Sequence, residues 1–296
     1  MTIVVTGATG RFGRRVVERL LERGVPAGQV RAVGRDPERL AVLAAHGVET
    51  ARVDYDVPLS LDPAFAGADA VLFVSSSALG DARTAQHGNV VEAAKRTGVP
   101  WLLYTSIVRA DTVDTVLTPG HRATEELIRA SGLRHTFLRN TLYTEEQVSS
   151  ILQAAARGEI LAGWGEGGIA SATIGDLAEG TAVVLLQGAR DAVLELTGDR
   201  AWNGYDLAAA ATQLLGRPIV YSPRTTDEME IELGIEHVGP EAAAFRVALD
   251  GDIRNGAFGH ATHTLSSLLG RPTTPLVEGL RAALPRDLPQ TPSTIR

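Results

Sequence analysis

The sequence predicts an α/β protein with a doubly wound parallel sheet and a smaller C-terminal α+β lobe. Three observations carry this expectation. Short apolar, β-branched runs alternate with helically spaced apolar stripes through about the first 140 residues; a glycine triplet joins the first run to the first stripe; beyond residue 140 the rhythm loosens. Strands separated by helical stretches imply right-handed crossovers and therefore a parallel sheet.

Met1 to Thr6 (MTIVVT) is apolar without alternation, the pattern of a strand buried on both faces. From Gly13 to Arg23 the spacing becomes helical, with Val16, Val17, Leu20 and Leu21 on one stripe and Gly24 placed to end it. Val30 to Val33 is the second strand. Asp36 then stands as a helix cap before Pro37, whose fixed φ suits a first helical position, and Gly47 can close that helix. Further strands are expected at Val48 to Val53, Ala70 to Ser75, Trp101 to Thr105 and Arg134 to Arg139, with helices at Asp81 to Thr97 and Pro119 to Ala130 between them. Two domains follow, 1–140 and 141–296. The second carries short strand candidates near Ala170 to Thr173, Val193 to Leu196 and Ile219 to Tyr221, parts of which should rejoin the main sheet.

Composition narrows the function. A net charge of −7 supplies no excess of cations to displace counterions, which argues against a nucleic-acid or anionic-membrane partner. With no cysteine, disulfides, Cys-ligated metals and thiol chemistry are excluded, and a reducing cytoplasm is the expected compartment. No apolar run approaches the ~20 residues of a membrane span. Self-association into a homo-oligomer is left open.

Gly7-Ala8-Thr9-Gly10-Arg11-Phe12-Gly13 spells G-x-x-G-x-x-G between the first strand and the first helix. In that context the first glycine permits a tight turn, the second a close backbone approach to a diphosphate, and the third close helix–strand packing, while the helix N-terminus offers N–H groups to phosphate. The expected fold is thus Rossmann-type, with a dinucleotide over the loop. At the end of the second strand, where an NAD-specific site places a carboxylate for the ribose hydroxyl, stands Gly34-Arg35, which suits a 2′-phosphate. Arg11 is a second candidate partner. NADP(H) is therefore expected rather than NAD(H), with Asp36 explained as a helix cap.

Alcohol-oxidising enzymes on this fold use a Tyr-x-x-x-Lys pair, the lysine lowering the tyrosine pKa. The only lysine here is Lys95, and Val91 stands four residues before it, so the pair is absent. In the helix where it would fall, His121 and Glu125 have its spacing. Either the domain does no chemistry, or its acceptor needs little acid catalysis. A quinone meets that condition, because the oxyanion formed by hydride transfer is a stabilised phenolate and hydrogen-bond donors suffice. Asn140, Tyr143 and His121 are the candidate donors.

These residues carry a resemblance to the NADPH:quinone oxidoreductases of the NmrA-like, atypical short-chain dehydrogenase/reductase family. It runs through Val5-Thr6-Gly7-Ala8-Thr9-Gly10, Ser75-Ser76-Ser77, Ala85-Gln86-His87, Tyr104-Thr105-Ser106, Leu138-Arg139-Asn140 with Tyr143, Ile169 to Thr173, Gly198-Asp199 with Ala201-Trp202, and Gly270 to Thr274. The resemblance implies that cofactor is held by Gly7 to Phe12, Arg35, Ser75, Ser76, Ser77 and the segment Asn140 to Glu145, which includes Tyr143. It further implies a quinone over the nicotinamide near Asn140 and Tyr143, with the C-terminal lobe covering the cofactor. The chain departs from the family at Ile174, where an arginine is usual, and at Leu142, where tryptophan is usual. Two alternatives use the same features: an NmrA-like regulator that senses NADP(H) without turnover, and a reductase of a specialised carbonyl compound. Glu125-Glu126 and Glu145-Glu146 are expected as solvated helix charge, and His260 with His263 as loop residues rather than metal ligands.

Overall fold

The computed structural model describes residues 1–188 and 191–285. In chain order the strands and helices are β1 (Ile3–Val5), α1 (Arg11–Glu22), β2 (Val30–Gly34), α2 (Pro37–Ala44), β3 (Glu49–Arg52), α3 (Leu61–Phe65), β4 (Ala70–Phe73), α4 (Gly80–Arg96), β5 (Leu102–Ile107), α5 (Thr118–Ala130) and β6 (His135–Asn140). They continue with α6 (Val148–Arg157), β7 (Glu159–Ala162), α7 (Ile174–Gln187), β8 (Ala192–Leu196), α8 (Gly204–Leu215), β9 (Val220–Pro223), α9 (Thr226–Ile235), α10 (Pro240–Arg254), α11 (Thr264–Leu269) and α12 (Leu276–Ala283).

The chain divides into two compact units. The first comprises Met1–Thr141, Ile174–Thr197 and Thr262–Thr273. Its seven strands form one parallel sheet in the order β3-β2-β1-β4-β5-β6-β8. The order reverses direction at β1, so α1 and the loop before it lie at the switch point where doubly wound sheets bind ligands. The fully apolar runs explain the strands: β1, β4 and most of β5 are buried throughout, and Val4, Phe73, Leu102 and Phe137 meet Phe65 and Ile128 in one core. Asp36 caps α2, accepting from the backbone N–H groups of Glu38 and Arg39. Lys95 is exposed and paired with Glu92.

The second unit comprises Leu142–Thr173, Gly198–Ala261 and the described residues from Thr274. Its only regular sheet among the described residues is the parallel pair β7 and β9. Asp250 organises its centre, accepting from the backbone N–H of Gly163 (2.9 Å) and from Trp164 Nε1 (2.8 Å).

Several expectations are corrected. The strand expected at Ala170 to Thr173 is reduced to isolated bridges, Tyr143 with Ala172 and Ile169 with Trp202; its polar side chains instead bond laterally, Ser171 Oγ meeting Trp202 Nε1 and Thr144 Oγ1 at 2.8 Å each. β7 went unread because Glu159-Ile160-Leu161-Ala162 is short and directly follows helix α6, ended by the left-handed Gly158. Glu125 is not solvated charge: it is 1% exposed, whereas its neighbour Glu126 is exposed.

Candidate active site

The loop after β1 is shaped by what glycine lacks. Gly7 adopts φ +59°, and its carbonyl receives the Gly10 N–H at 2.9 Å. A Cβ on Gly13 would stand 2.5 Å from that same carbonyl oxygen, so α1 can start this close to the strand only with glycine there. Ala8 ties the loop to β2 through Val33 O, and Phe12 is buried beneath it. The first turn of α1 thereby faces the groove with N–H groups and the positive end of the helix dipole.

A cavity of about 440 Å³ runs along the carboxyl ends of the strands. Of the expected cofactor residues, Gly7, Thr9, Gly10, Arg35, Ser75, Ser76 and Ser77 line it. Ala8 and Phe12 are buried and Gly13 packs against the Gly7 carbonyl; none of the three lines the cavity. Arg11 lies outside the lining, as does Asn140. Sequence reasoning missed Arg39, Asp54, Tyr55 and Gln86, which also line it. Arg39 donates to Thr9 O (3.1 Å) and pairs with Asp36 (3.2 Å), placing a second guanidinium beside Arg35. Tyr55 donates to Val74 O and accepts from Thr6 Oγ1, which joins β1, β4 and the segment after β3. Burial raises the Tyr55 pKa, so the phenol stays protonated. Gln86 stands in the Ala85-Gln86-His87 motif without a role assigned to it, and Arg39, Asp54 and Tyr55 carry no motif; their arrival at the same sheet edge marks them.

Behind Ser75 to Ser77 lies a buried polar layer. Ser76 N–H donates to His87 Nε2 at 3.0 Å. That fixes the other nitrogen as the protonated one, donating to Thr124 Oγ1 (2.8 Å), which donates in turn to Gly120 O (2.8 Å). Burial, reinforced by Arg83, pushes the His87 pKa down to about 3. Arg83 Nη2 can only donate, so His121 Nε2 accepts from it (2.9 Å) and His121 Nδ1–H donates to Tyr104 Oη (2.8 Å). Burial and then Arg83 hold His121 well below the usual imidazole range. The expectation that His121 offers a donor to an acceptor is therefore corrected, because both its nitrogens are engaged inside the protein.

Glu125, the other member of the expected pair, is likewise occupied. It receives Ser106 Oγ (2.6 Å) and both arms of a bidentate bond from Arg139, Nε at 2.9 Å and Nη2 at 2.8 Å. Arg139 also reaches Asp111 (2.7 Å) and Glu195 (3.0 Å). Burial alone would lower the arginine pKa, but these carboxylates raise it. The network clamps β5, β6 and β8 together at their carboxyl ends, and the next residue of β6 is Asn140.

Asn140 is 3% exposed, and among the described residues neither its amide nitrogen nor its amide oxygen has a hydrogen-bond partner. Thr141 Oγ1 and Ser76 Oγ are buried and unpartnered too. Buried polar atoms in native proteins are almost always satisfied, and groups left open at a sheet's carboxyl edge are what a ligand supplies partners for. In the second unit, Tyr143 is half-buried and precedes the single turn Thr144–Gln147, in whose first residues Glu145 lies, also half-buried. Among the described residues no group of His, Asp or Glu has the arrangement of a metal site. No described helix is long and apolar enough to cross a membrane.

Comparison with known proteins finds relatives over nearly the whole chain. The NAD(P)H-binding family pattern matches residues 7–181. Quinone oxidoreductase 2 of Escherichia coli (strain K12) is 37% identical over 282 residues, covering 94% of this chain and 97% of that protein. Its crystal structure complexed with NADPH superposes with a TM-score of 0.91 at 36% identity, over 95% of this chain and 99% of that one. The Citrobacter sp. triphenylmethane reductase complexed with NADP(H) gives 0.89 at 34% identity, over 96% of this chain and 100% of that one. A (4-alkanoyl-5-oxo-2,5-dihydrofuran-3-yl)methyl phosphate reductase of Streptomyces griseus is 31% identical over 92% of this chain and 94% of that protein. The chain belongs to the NAD(P)H-binding, NmrA-like family of atypical short-chain dehydrogenases/reductases and is an oxidoreductase of that family.

Proposed function

We propose that this protein is an NADPH-dependent reductase that passes a hydride to a quinone in one two-electron step. The observation that carries the reading is Asn140, whose buried amide has both of its hydrogen-bonding atoms open. Bound NADPH supplies the hydride; the residues of this chain bind, orient and polarise. Gly7 to Gly13 and Ser75 to Ser77 receive the dinucleotide, with the α1 N-terminus toward its diphosphate. Arg35 takes the 2′-phosphate, a role open to it because Asp36 is spent on capping α2. The Asn140 amide N–H donates to the acceptor oxygen as negative charge develops there, and Tyr143 is a further contact of cofactor and acceptor. The lost Tyr-x-x-x-Lys pair supports an acceptor that needs no strong acid, with the final proton drawn from solvent.

The test is NADPH oxidation by the purified protein with a panel of benzoquinones and naphthoquinones, against NADH, for wild type, Asn140→Ala and Tyr143→Ala. The expected result is saturable turnover favouring NADPH. Asn140→Ala should lower kcat on the order of 100-fold with little change in NADPH affinity, and Tyr143→Ala should lower it less. Tight NADPH binding without turnover of any quinone would replace this reading with a cofactor sensor, and turnover restricted to other carbonyl acceptors would replace it with a specialised reductase.

A further inference from the structure

Among the described residues Arg83 is a buried cation without a counterion. It lies in the first turn of α4 and is 6% exposed. Nη2 donates to the neutral His121 and the guanidinium also interacts with the Tyr104 phenol, while Nε is sealed from solvent without a partner among the described residues. No carboxylate among the described residues pairs with it. Asp81, the acidic residue of the same turn, is exposed and makes no ion pair with it. The other groups packed around it are His87, His121 and Tyr104, none of which carries negative charge, since burial keeps both imidazoles neutral and raises the phenol pKa.

This arrangement is unfavourable twice over in the ligand-free chain. A guanidinium taken out of water without an opposite charge is costly. The N-terminal turn of a helix is also the end where the peptide dipoles disfavour a cation. Yet the side chain is held in place: a Cβ on Gly120 of α5 would lie 3.2 Å from Arg83 Cδ, and Tyr104 fixes the histidine that receives Nη2. His87, one turn further along α4, holds the backbone of Ser76, and Gln86 beside it lines the cavity. The unpaired positive charge therefore stands on the face of α4 that serves the candidate site. Nη1, unlike Nε, is not a sealed and unpartnered nitrogen, and Arg83 lies outside the lining of the cavity of about 440 Å³.

We propose that Arg83 is an anion-binding residue of the acceptor site, and that the preferred acceptors carry an anionic substituent, a carboxylate, sulfonate or phosphate. The proposal rests on the quinone-reductase reading for its choice of probes. An oxyanion brought to Nη1 restores charge balance in the polar layer and joins the α4 dipole to the same ligand. A neutral quinone leaves the guanidinium uncompensated.

The test compares kcat/KM for 1,4-naphthoquinone-2-sulfonate and for neutral 2-methyl-1,4-naphthoquinone in wild type, Arg83→Met and Arg83→Lys. Arg83→Met keeps the stem against Gly120 and removes the charge. It should lower kcat/KM for the sulfonate about 10- to 100-fold while changing that for the neutral quinone less than about twofold. Arg83→Lys should retain part of the preference. An equal fall for both quinones, or no fall for either, overturns the proposal. So does an unchanged sulfonate preference with weakened NADPH binding, which would assign the anion to the cofactor. If wild type reduces neither quinone, the quinone reading fails by itself. Calorimetric binding of naphthalene-2-sulfonate to the NADP⁺-loaded protein then decides: binding lost in Arg83→Met supports the anion site, and equal binding in both removes it.

Discussion

The two sides of the candidate site are built on opposite principles. The Gly7 to Gly13 loop owes its shape to missing atoms: no Cβ at Gly13 to strike the Gly7 carbonyl, and no side chain to resist the positive φ of Gly7. The carboxyl ends of β4, β5 and β6 owe theirs to atoms present in excess. His87, Thr124, Arg83, His121 and Tyr104 form chained hydrogen bonds, Glu125 and Arg139 a buried ion pair, and Asn140 and Ser76 are left with open valences. A site for a cofactor shared by many proteins can be made from backbone. A site for one acceptor needs particular side chains held at fixed angles, and burial is what holds them.

That contrast can be broken experimentally, and the largest effect belongs to the side-chain half. Removing the carboxylate in Glu125→Ala leaves Arg139 with two outer partners only, and unfolding free energy should fall by about 3–5 kcal/mol. Denaturant titration measures it; a loss below about 1 kcal/mol, the worth of an exposed pair, would mean that the clamp on β5, β6 and β8 carries little. Next comes the loop. Gly13→Ala should cost about 1–3 kcal/mol of stability through overpacking and should abolish cofactor binding, because either the helix or the Gly7 peptide must move. Wild-type NADPH affinity in this variant would show the loop to be looser than its packing implies.

The smallest effect tests the tautomer chain through pH. His87 and His121 have folded pKa values below the ordinary imidazole value, His87 at about 3. Below about pH 6.5 the unfolded chain binds protons that the folded chain refuses, so stability falls as pH drops and is recovered as pH rises back through that value. Each histidine should contribute a slope of up to about 1.4 kcal/mol per pH unit between pH 6 and 5. Denaturation at these two pH values should show a shallower dependence for His87→Gln than for wild type. Identical slopes would mean that His87 is not the buried neutral acceptor of the Ser76 N–H.

Legibility in the sequence follows the same division. The glycine triplet, the Asp36-Pro37 cap and Arg35 could be read because their meaning is local: a turn, a cap and a strand end each depend on a few neighbouring residues. Glu125 could not. Its helix position is that of many solvated glutamates paired with an arginine one turn on, as Glu125 is with Arg129; the partners that bury it, Ser106 of β5 and Arg139 of β6, come from other elements. His121 was readable as a position, through the spacing of the missing pair, but not as a role, since Arg83 and Tyr104 engage both its nitrogens from other elements. Arg83 itself stands in an unremarked stretch of α4.

By itself, then, the sequence determined the alternation of strand and helix, the parallel sheet, the phosphate loop and the absence of the tyrosine–lysine pair, because periodicity, glycine sterics and residue identity need no partner. Only the tertiary structure decided which polar groups are spent on one another and which are left open. Burial converts a side chain's hydrogen-bonding needs into an obligation, and whether that obligation is met depends on residues the chain brings together from far apart.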